Sequence, residues 1–268
     1  MRKNLVLVFI LLIFVVTGCK EKVLEQSNII ETTKADEIEE QKAIEIDKEQ
    51  KEGKEVIKKE EPKVFIGQAL DTIDKDGFTE VYKEKNKKSS IIYKLKNYEE
   101  VKLLETLPYG WFKVKLEDGR EGYVDSRYVR TKEIPPHEFN EKTEGYVLVF
   151  NTDKQILRIY KDGELIKESL ASSGIWDYFT PKGIFQIEEG RRGKWFYTPR
   201  FKQGGKYWVG FKGTYLFHSI PFTEDGKIIE KEKEKLGTPA SHGCIRLPVD
   251  VAKYIYENIP AGSLVLIY

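Results

Sequence analysis

The chain of 268 residues holds two cysteines, three histidines and one methionine. So few cysteines exclude a disulfide-stapled scaffold. No charge excess exists either: 45 Lys and Arg against 44 Asp and Glu leave a net charge of +1. That balance argues against a general nucleic-acid binder, which carries a basic surplus. No glycine loop of the phosphate-binding kind is present, so no nucleotide is expected. A long apolar run is missing as well. The one candidate, Leu5–Val16, has twelve residues, too short for an ordinary transmembrane helix and suited to the apolar stretch of a signal peptide. Residues 20–62 lack aromatic side chains altogether.

What is present divides the chain. Arg2 and Lys3 precede the apolar run, and Val16-Thr17-Gly18-Cys19 ends it. This end resembles the bacterial lipobox, which implies a lipoprotein signal peptide over residues 1–18, lipidation at Cys19 and an extracytoplasmic protein anchored to a membrane of the cell envelope. Residues 19–62 mix Glu, Lys and Ile without a sustained heptad, and are expected to form a charged tether spanning roughly 35–40 Å as a coil. Short β-type runs follow over residues 63–132: FTEVYKE, SSIIYKL, YEEVKLLETL, GWFKVKLEDGREGYV and SRYVR. Asp118-Gly119 between two alternating runs predicts a hairpin. Five short strands in so little chain predict a small barrel, and WFKVKLEDGREGYVDSRYV resembles the C-terminal half of bacterial SH3-like domains. Trp111 and Tyr123 are read as core residues. Pro135-Pro136 mark a linker over residues 133–144, with His137 as a bystander.

Residues 145–268 read as a second β-rich unit, with runs GYVLVF, QILRIY, ELIKESL, GIFQIEE and YWVGFKGTYLFHS. Pro248 opens one helix, VDVAKYIYENI, whose Val251, Tyr254, Ile255 and Ile259 share a face. SLVLIY closes the chain as a buried strand.

The remaining cysteine, Cys244, lies in Ser241-His242-Gly243-Cys244-Ile245-Arg246, between a turn and the helix. If Cys19 is lipidated, Cys244 has no disulfide partner. Three readings of it compete on the residues alone. Free cysteine is often a buried, inert residue, although a polar run is a poor place to bury one. His218, His242 and Cys244 are also possible zinc ligands, although His-x-Cys is an unusual ligand spacing. The third reading is a thiolate nucleophile activated by an imidazole that a third group orients.

LGTPASHGCIRLP, together with Phe217-His218-Ser219, resembles the active-site signature of the L,D-transpeptidase (YkuD-type) family, [Ser/Thr]-His-Gly-Cys-x-[Arg/Asn]. Asp153-Lys154-Gln155, Ser173-Gly174 and Thr180-Pro181-Lys182-Gly183 fall in the family's order. The resemblance implies a β-sandwich with a short helix and a mainly β protein overall. It implies that Cys244 is the nucleophile, that His218 is the base and that Ser219 or its carbonyl orients it. Gly243 and Cys244 would offer oxyanion donors. His242, Arg246 and Ser241 would shape a substrate pocket, with Arg246 pairing a substrate carboxylate. The implied substrates are peptidoglycan stem peptides, cross-linked 3–3 through a thioester, with no cofactor or metal and a monomeric enzyme. The charged segment 222–240, which separates His218 from Cys244, is long for the family. It is expected to be either a lid or a surface hairpin around Asp225-Gly226.

Overall fold

The structure, a computed structural model, describes residues 63–268. The expected signal peptide, the expected tether and Cys19 lie outside the described residues.

Runs rich in β-branched and aromatic residues become strands because their side chains pack well on a pleated surface. Seven of them build the first sheet: β1 (Phe65–Ala69), β2 (Phe78–Tyr82), β3 (Ile91–Lys96), β4 (Glu100–Leu107), β5 (Trp111–Lys115), β6 (Glu121–Asp125) and β7 (Val129–Thr131). They lie in the order β3-β2-β6-β5-β4-β1-β7. The Asp118-Gly119 turn joins β5 to β6, with Trp111 opposite Asp125 and Lys115 opposite Glu121. Leu95, Leu103, Phe112, Val114 and Val124 fill the barrel interior. Trp111 is buried with its ring edge-on to Tyr82 at 5.8 Å, a core position as expected, while Tyr123 is half-buried.

Seven strands stand where five were expected. β1 gives little hydrophobic contrast because its inward residues are the small Gly67 and Ala69. β7 has only three residues, behind a 3-10 turn at Ser126–Tyr128.

The second half contains β8 (Tyr146–Asn151), β9 (Ile156–Lys161), β10 (Glu164–Leu170), β11 (Gly183–Gln186), β12 (Arg192–Thr198), β13 (Gln203–Lys212), β14 (Tyr215–Ser219), helix α1 (Glu230–Lys233), β15 (Ile245–Leu247), helix α2 (Val249–Asn258) and β16 (Leu264–Ile267). One sheet runs β10-β9-β8-β16-β11 and the other β12-β13-β14-β15. Between the sheets and α2 lies a core that includes Phe150, Phe185, Phe211, Phe217, Ile245 and Ile255. β16 runs parallel to β8 and is buried on both faces, Val265 and Ile267 on one and Leu264 and Leu266 on the other. That two-sided burial is why SLVLIY reads as a continuous apolar run. The run YWVGFKGTYLFHS is two antiparallel strands, β13 and β14, turning at Gly213-Thr214. In the linker, Phe139 packs on the outer face of the five-stranded sheet, and His137 stacks on Tyr268 at 5.6 Å.

Pro62–Tyr268 forms one compact unit. The Gly110 amide donates to the Ile184 carbonyl at 2.7 Å, and Lys182 Nζ donates to the Lys132 carbonyl at 2.5 Å. The Arg130 guanidinium lies 4.3 Å from the Trp176 ring centroid. These bonds lock the barrel against the sandwich, and that packing matters for the site.

Candidate active site

Parallel pairing of β14 and β15 creates the site. Phe217 faces Ile245, His218 faces Arg246 and Ser219 faces Leu247. Cys244 therefore enters β15 alongside the strand that carries His218. Both side chains line one cavity of about 490 Å³, together with Ser241, His242 and Arg246. Ser219 and Gly243 are not among the residues that line it.

The loop that presents Cys244 is held by hydrogen bonds from three sides. Ser241 Oγ accepts the Gly243 N–H at 3.0 Å and donates to the Cys244 carbonyl at 2.5 Å. Thr180 Oγ1 donates to the Gly243 carbonyl and accepts the Gly174 N–H, each at 2.8 Å. The Ser173 carbonyl accepts from the Ala240 and Ser241 amides at 2.9 and 3.0 Å. Gln155 in turn accepts the Ser173 N–H at 2.7 Å. The separate motif fragments around Gln155, Ser173-Gly174 and Thr180 thus converge on the cysteine loop. Gly243 has φ of +113°, and a Cβ there would sit 2.6 Å from the Tyr215 ring. Only glycine fits that position without strain.

One expectation is corrected here. The Gly243 N–H is already held by Ser241, so it is not a free oxyanion donor. The Cys244 amide has no protein acceptor among the described residues and is the remaining candidate donor.

His218 is buried, 6% exposed, and its Nδ1 lies 2.6 Å from the Ser219 carbonyl. A carbonyl only accepts, so Nδ1 carries the proton and Nε2 is the basic nitrogen. Of the two expected Ser219 contributions, the backbone carbonyl is the one that orients the imidazole. Its hydroxyl accepts the Lys206 N–H at 2.8 Å and donates to the Ile220 carbonyl at 2.8 Å. Phe196 meets the imidazole edge-on at 5.1 Å. A Cβ at Gly205 would lie 2.8 Å from His218 Nδ1 and 2.7 Å from the Phe196 ring. Phe196 and Gly205 are site residues with no local sequence signal, because only strand register brings them to the histidine.

Burial, reinforced by the Arg246 charge, pushes the His218 pKa down to about 4. Burial also pushes the Cys244 thiol up to about 11, against opposing effects from the Leu216 backbone and Arg246. Thiol and imidazole therefore rest as a neutral pair at neutral pH. Cys244 is half-buried, with Sγ 3.6 Å from the Thr214 carbonyl.

His242 is exposed and belongs to an aromatic wall. It stacks on Phe201 at 4.2 Å and meets Tyr178 edge-on at 5.1 Å. Arg246 differs from its expected role. Its Nη1 contacts Glu232 of α1 at 2.5 Å, and its Nη2 donates to Gln203 at 3.1 Å. The carboxylate it holds is the chain's own. No group of three or more His, Cys, Asp or Glu among the described residues is arranged to hold a metal ion. In segment 222–240, a turn at Asp225-Gly226 closes with Thr223 N–H donating to Lys227 O at 2.8 Å, and α1 follows.

Residues 144–267 match the YkuD family, described as the L,D-transpeptidase catalytic domain, and residues 77–130 match the bacterial SH3 domain family. Residues 144–267 are thus similar to L,D-transpeptidase catalytic domains, and residues 77–130 to bacterial SH3 domains. It is 46% identical over 122 residues to the Bacillus subtilis protein named "Putative L,D-transpeptidase YciB", an alignment covering 44% of this chain and 62% of that one. A second B. subtilis relative, "Putative L,D-transpeptidase YqjB", is 28% identical over 134 residues, covering 46% of this chain and 70% of the relative. A solved L,D-transpeptidase from Mycobacterium smegmatis is 18% identical with a TM-score of 0.40, covering 60% of this chain and 68% of that one. The chain thus spans less than two thirds of YciB, at 62% of its length.

Proposed function

We propose that the protein is a peptidoglycan L,D-transpeptidase that uses Cys244 as its nucleophile and works from a lipid anchor at Cys19 in the cell envelope. The family match and the names of the relatives support the activity. The observation that carries the mechanism is the setting of His218. Its Nδ1 proton is tied to the Ser219 carbonyl, so Nε2 is the basic nitrogen of a side chain that shares a cavity with Cys244.

The reaction starts from a stem tetrapeptide. As Cys244 Sγ attacks the carbonyl of the third residue, its proton passes to His218 Nε2 and an S–C bond forms. The Cys244 amide donates to the oxygen that gains charge. The C–N bond to the terminal D-Ala then breaks, and His218 returns the proton to the departing amine. An amine from a second stem attacks the thioester, His218 removes its surplus proton, and Sγ leaves and is reprotonated. The product is a 3–3 cross-link. A neutral resting pair requires the proton to move during attack, the role in which a general base supplies roughly 10²–10⁴-fold. Ser241 and Thr180 hold the nucleophile loop, and His242 with Phe201 and Tyr178 gives the donor peptide a flat aromatic wall.

The test is product analysis by mass spectrometry, with the full chain in detergent and disaccharide-tetrapeptide as substrate. The reading expects a dimer that has lost one D-Ala, absent with Cys244→Ala. Tripeptide without dimer would make the protein an L,D-carboxypeptidase. Untouched substrate with folded protein would leave a wall-binding lipoprotein with an inactive catalytic domain.

A further inference from the structure

The cavity holding Cys244 and His218 has one wall that does not come from the catalytic domain. Thr72, Ile73 and Lys75, on the loop between β1 and β2 of the SH3-like barrel, line it. Ile73 packs against the core of the catalytic sandwich. Thr72 shares that lining with Tyr215, the ring that a Cβ at Gly243 would strike.

This loop is built rather than loose. The buried Asp71 carboxylate accepts four backbone amides: Ile73 at 3.0 Å and Asp74 at 2.9 Å through Oδ1, Asp76 at 2.8 Å and Gly77 at 3.3 Å through Oδ2. Asn97 Oδ1 accepts the Asp71 amide at 2.8 Å. Lys75 sits at the apex with φ of +60°, a conformation that a lysine adopts only where its surroundings impose it.

Charge is sorted across the loop. Asp74 accepts a hydrogen bond from Tyr128 at 2.5 Å, and Asp76 accepts the Phe78 amide at 2.9 Å. Both acids line a separate pocket with Glu80 and Asp125. Lys75 alone of the loop's charged residues lines the catalytic cavity, where Arg200 also stands. No Asp or Glu lines that cavity. Arg246 is matched by Glu232, whereas Lys75 and Arg200 make no ion pair among the described residues. Arg200 instead lies 5.2 Å from the ring centroid of Phe201, in the aromatic wall.

We infer that the SH3-like domain is part of the substrate-recognition surface, and that Lys75 on its β1–β2 loop, with Arg200 on the catalytic domain, receives a side carboxylate of an acidic donor peptide. This rests on the transpeptidase reading for the identity of the donor, and not for the charge preference itself. Lys75 is a specificity-determining residue and takes no part in bond making. It acts on binding, so its loss raises KM and spares kcat.

The test uses the full chain in detergent with two donors, a tetrapeptide with free carboxylates and the same peptide with its side carboxylates amidated. Calorimetric binding is measured on Cys244→Ala protein and turnover on Cys244-intact protein, each with and without Lys75→Glu. Lys88→Glu on the β2–β3 turn, which does not line the catalytic cavity, controls for net charge. Lys75→Glu is expected to weaken binding of the acidic donor and raise its KM by roughly tenfold, with kcat within about twofold, as loss of one charge-assisted contact requires. Lys75→Arg is expected to stay close to wild type, and the amidated donor is expected to show no Lys75 dependence. Equal binding of the acidic donor with and without Lys75→Glu, or equal losses for both donors, overturns the inference. Charge-selective, Lys75-dependent binding without turnover would uphold it and overturn the transpeptidase reading alone.

Discussion

At the scale of single residues, the site depends on which groups are neutral. As the proposed base, His218 must be unprotonated, and a group is unprotonated above its pKa. Its pKa, lowered by burial to about 4, extends the active range downward relative to an ordinary imidazole near 6.5. The acid limb of kcat/KM is therefore expected well below pH 6, and a limb near 6.5 would show that His218 is not the base. The thiol, raised to about 11, is expected to alkylate with iodoacetamide ever faster as pH rises through the alkaline range. A rate plateau reached in mild acid would mean a preformed thiolate–imidazolium pair instead. Gly205→Ala places a methyl 2.8 Å from His218 Nδ1. Because small misplacements at a reacting group are expensive, kcat is expected to fall on the order of 10²-fold with the protein still folded, as circular dichroism would show.

At the scale of elements, segment 222–240 is the informative piece. Its helix α1 delivers Glu232 to Arg246. Both side chains are largely buried, 13% and 6% exposed, so Glu232→Gln leaves a guanidinium short of a counter-charge. Melting is expected to drop by about 4–8 °C, equivalent to about 2 kcal/mol. Affinity for acidic donors is expected to rise as Arg246 becomes available. Deleting residues 224–234 should then change selectivity between small and polymeric substrates, and unchanged kinetics on both would reject a lid role. The elements also show what sequence could carry. Ser241–Arg246 was legible because its residues are contiguous, and the β13–β14 stretch because its residues concentrate strand formers. His218 required the family resemblance, since it meets the cysteine only through parallel strand pairing. Gly205, Phe196 and Glu232 were illegible because register and a tertiary ion pair, not local pattern, bring them to the site. The Gly243 amide was misassigned because it donates its N–H to the Ser241 hydroxyl.

At the scale of the whole molecule, the barrel and the sandwich share backbone and side-chain bonds and one cavity. Heat is expected to unfold residues 63–268 in a single calorimetric transition, because the Gly110, Lys182 and Arg130 contacts tie the halves together. Two resolved transitions would contradict that coupling. This joint was not readable from the sequence, where each half scans as a separate domain. The central claim remains covalent chemistry at Cys244. Intact-protein mass spectrometry of the full chain, given a disaccharide-tetrapeptide donor whose side-chain amine is blocked by acetylation, tests it most directly. The account predicts a mass gain equal to the donor minus D-Ala, mapped by digestion to Cys244, lost on hydroxylamine treatment and absent in Cys244→Ala. Release of D-Ala by Cys244→Ala, or an adduct on another residue, would contradict it.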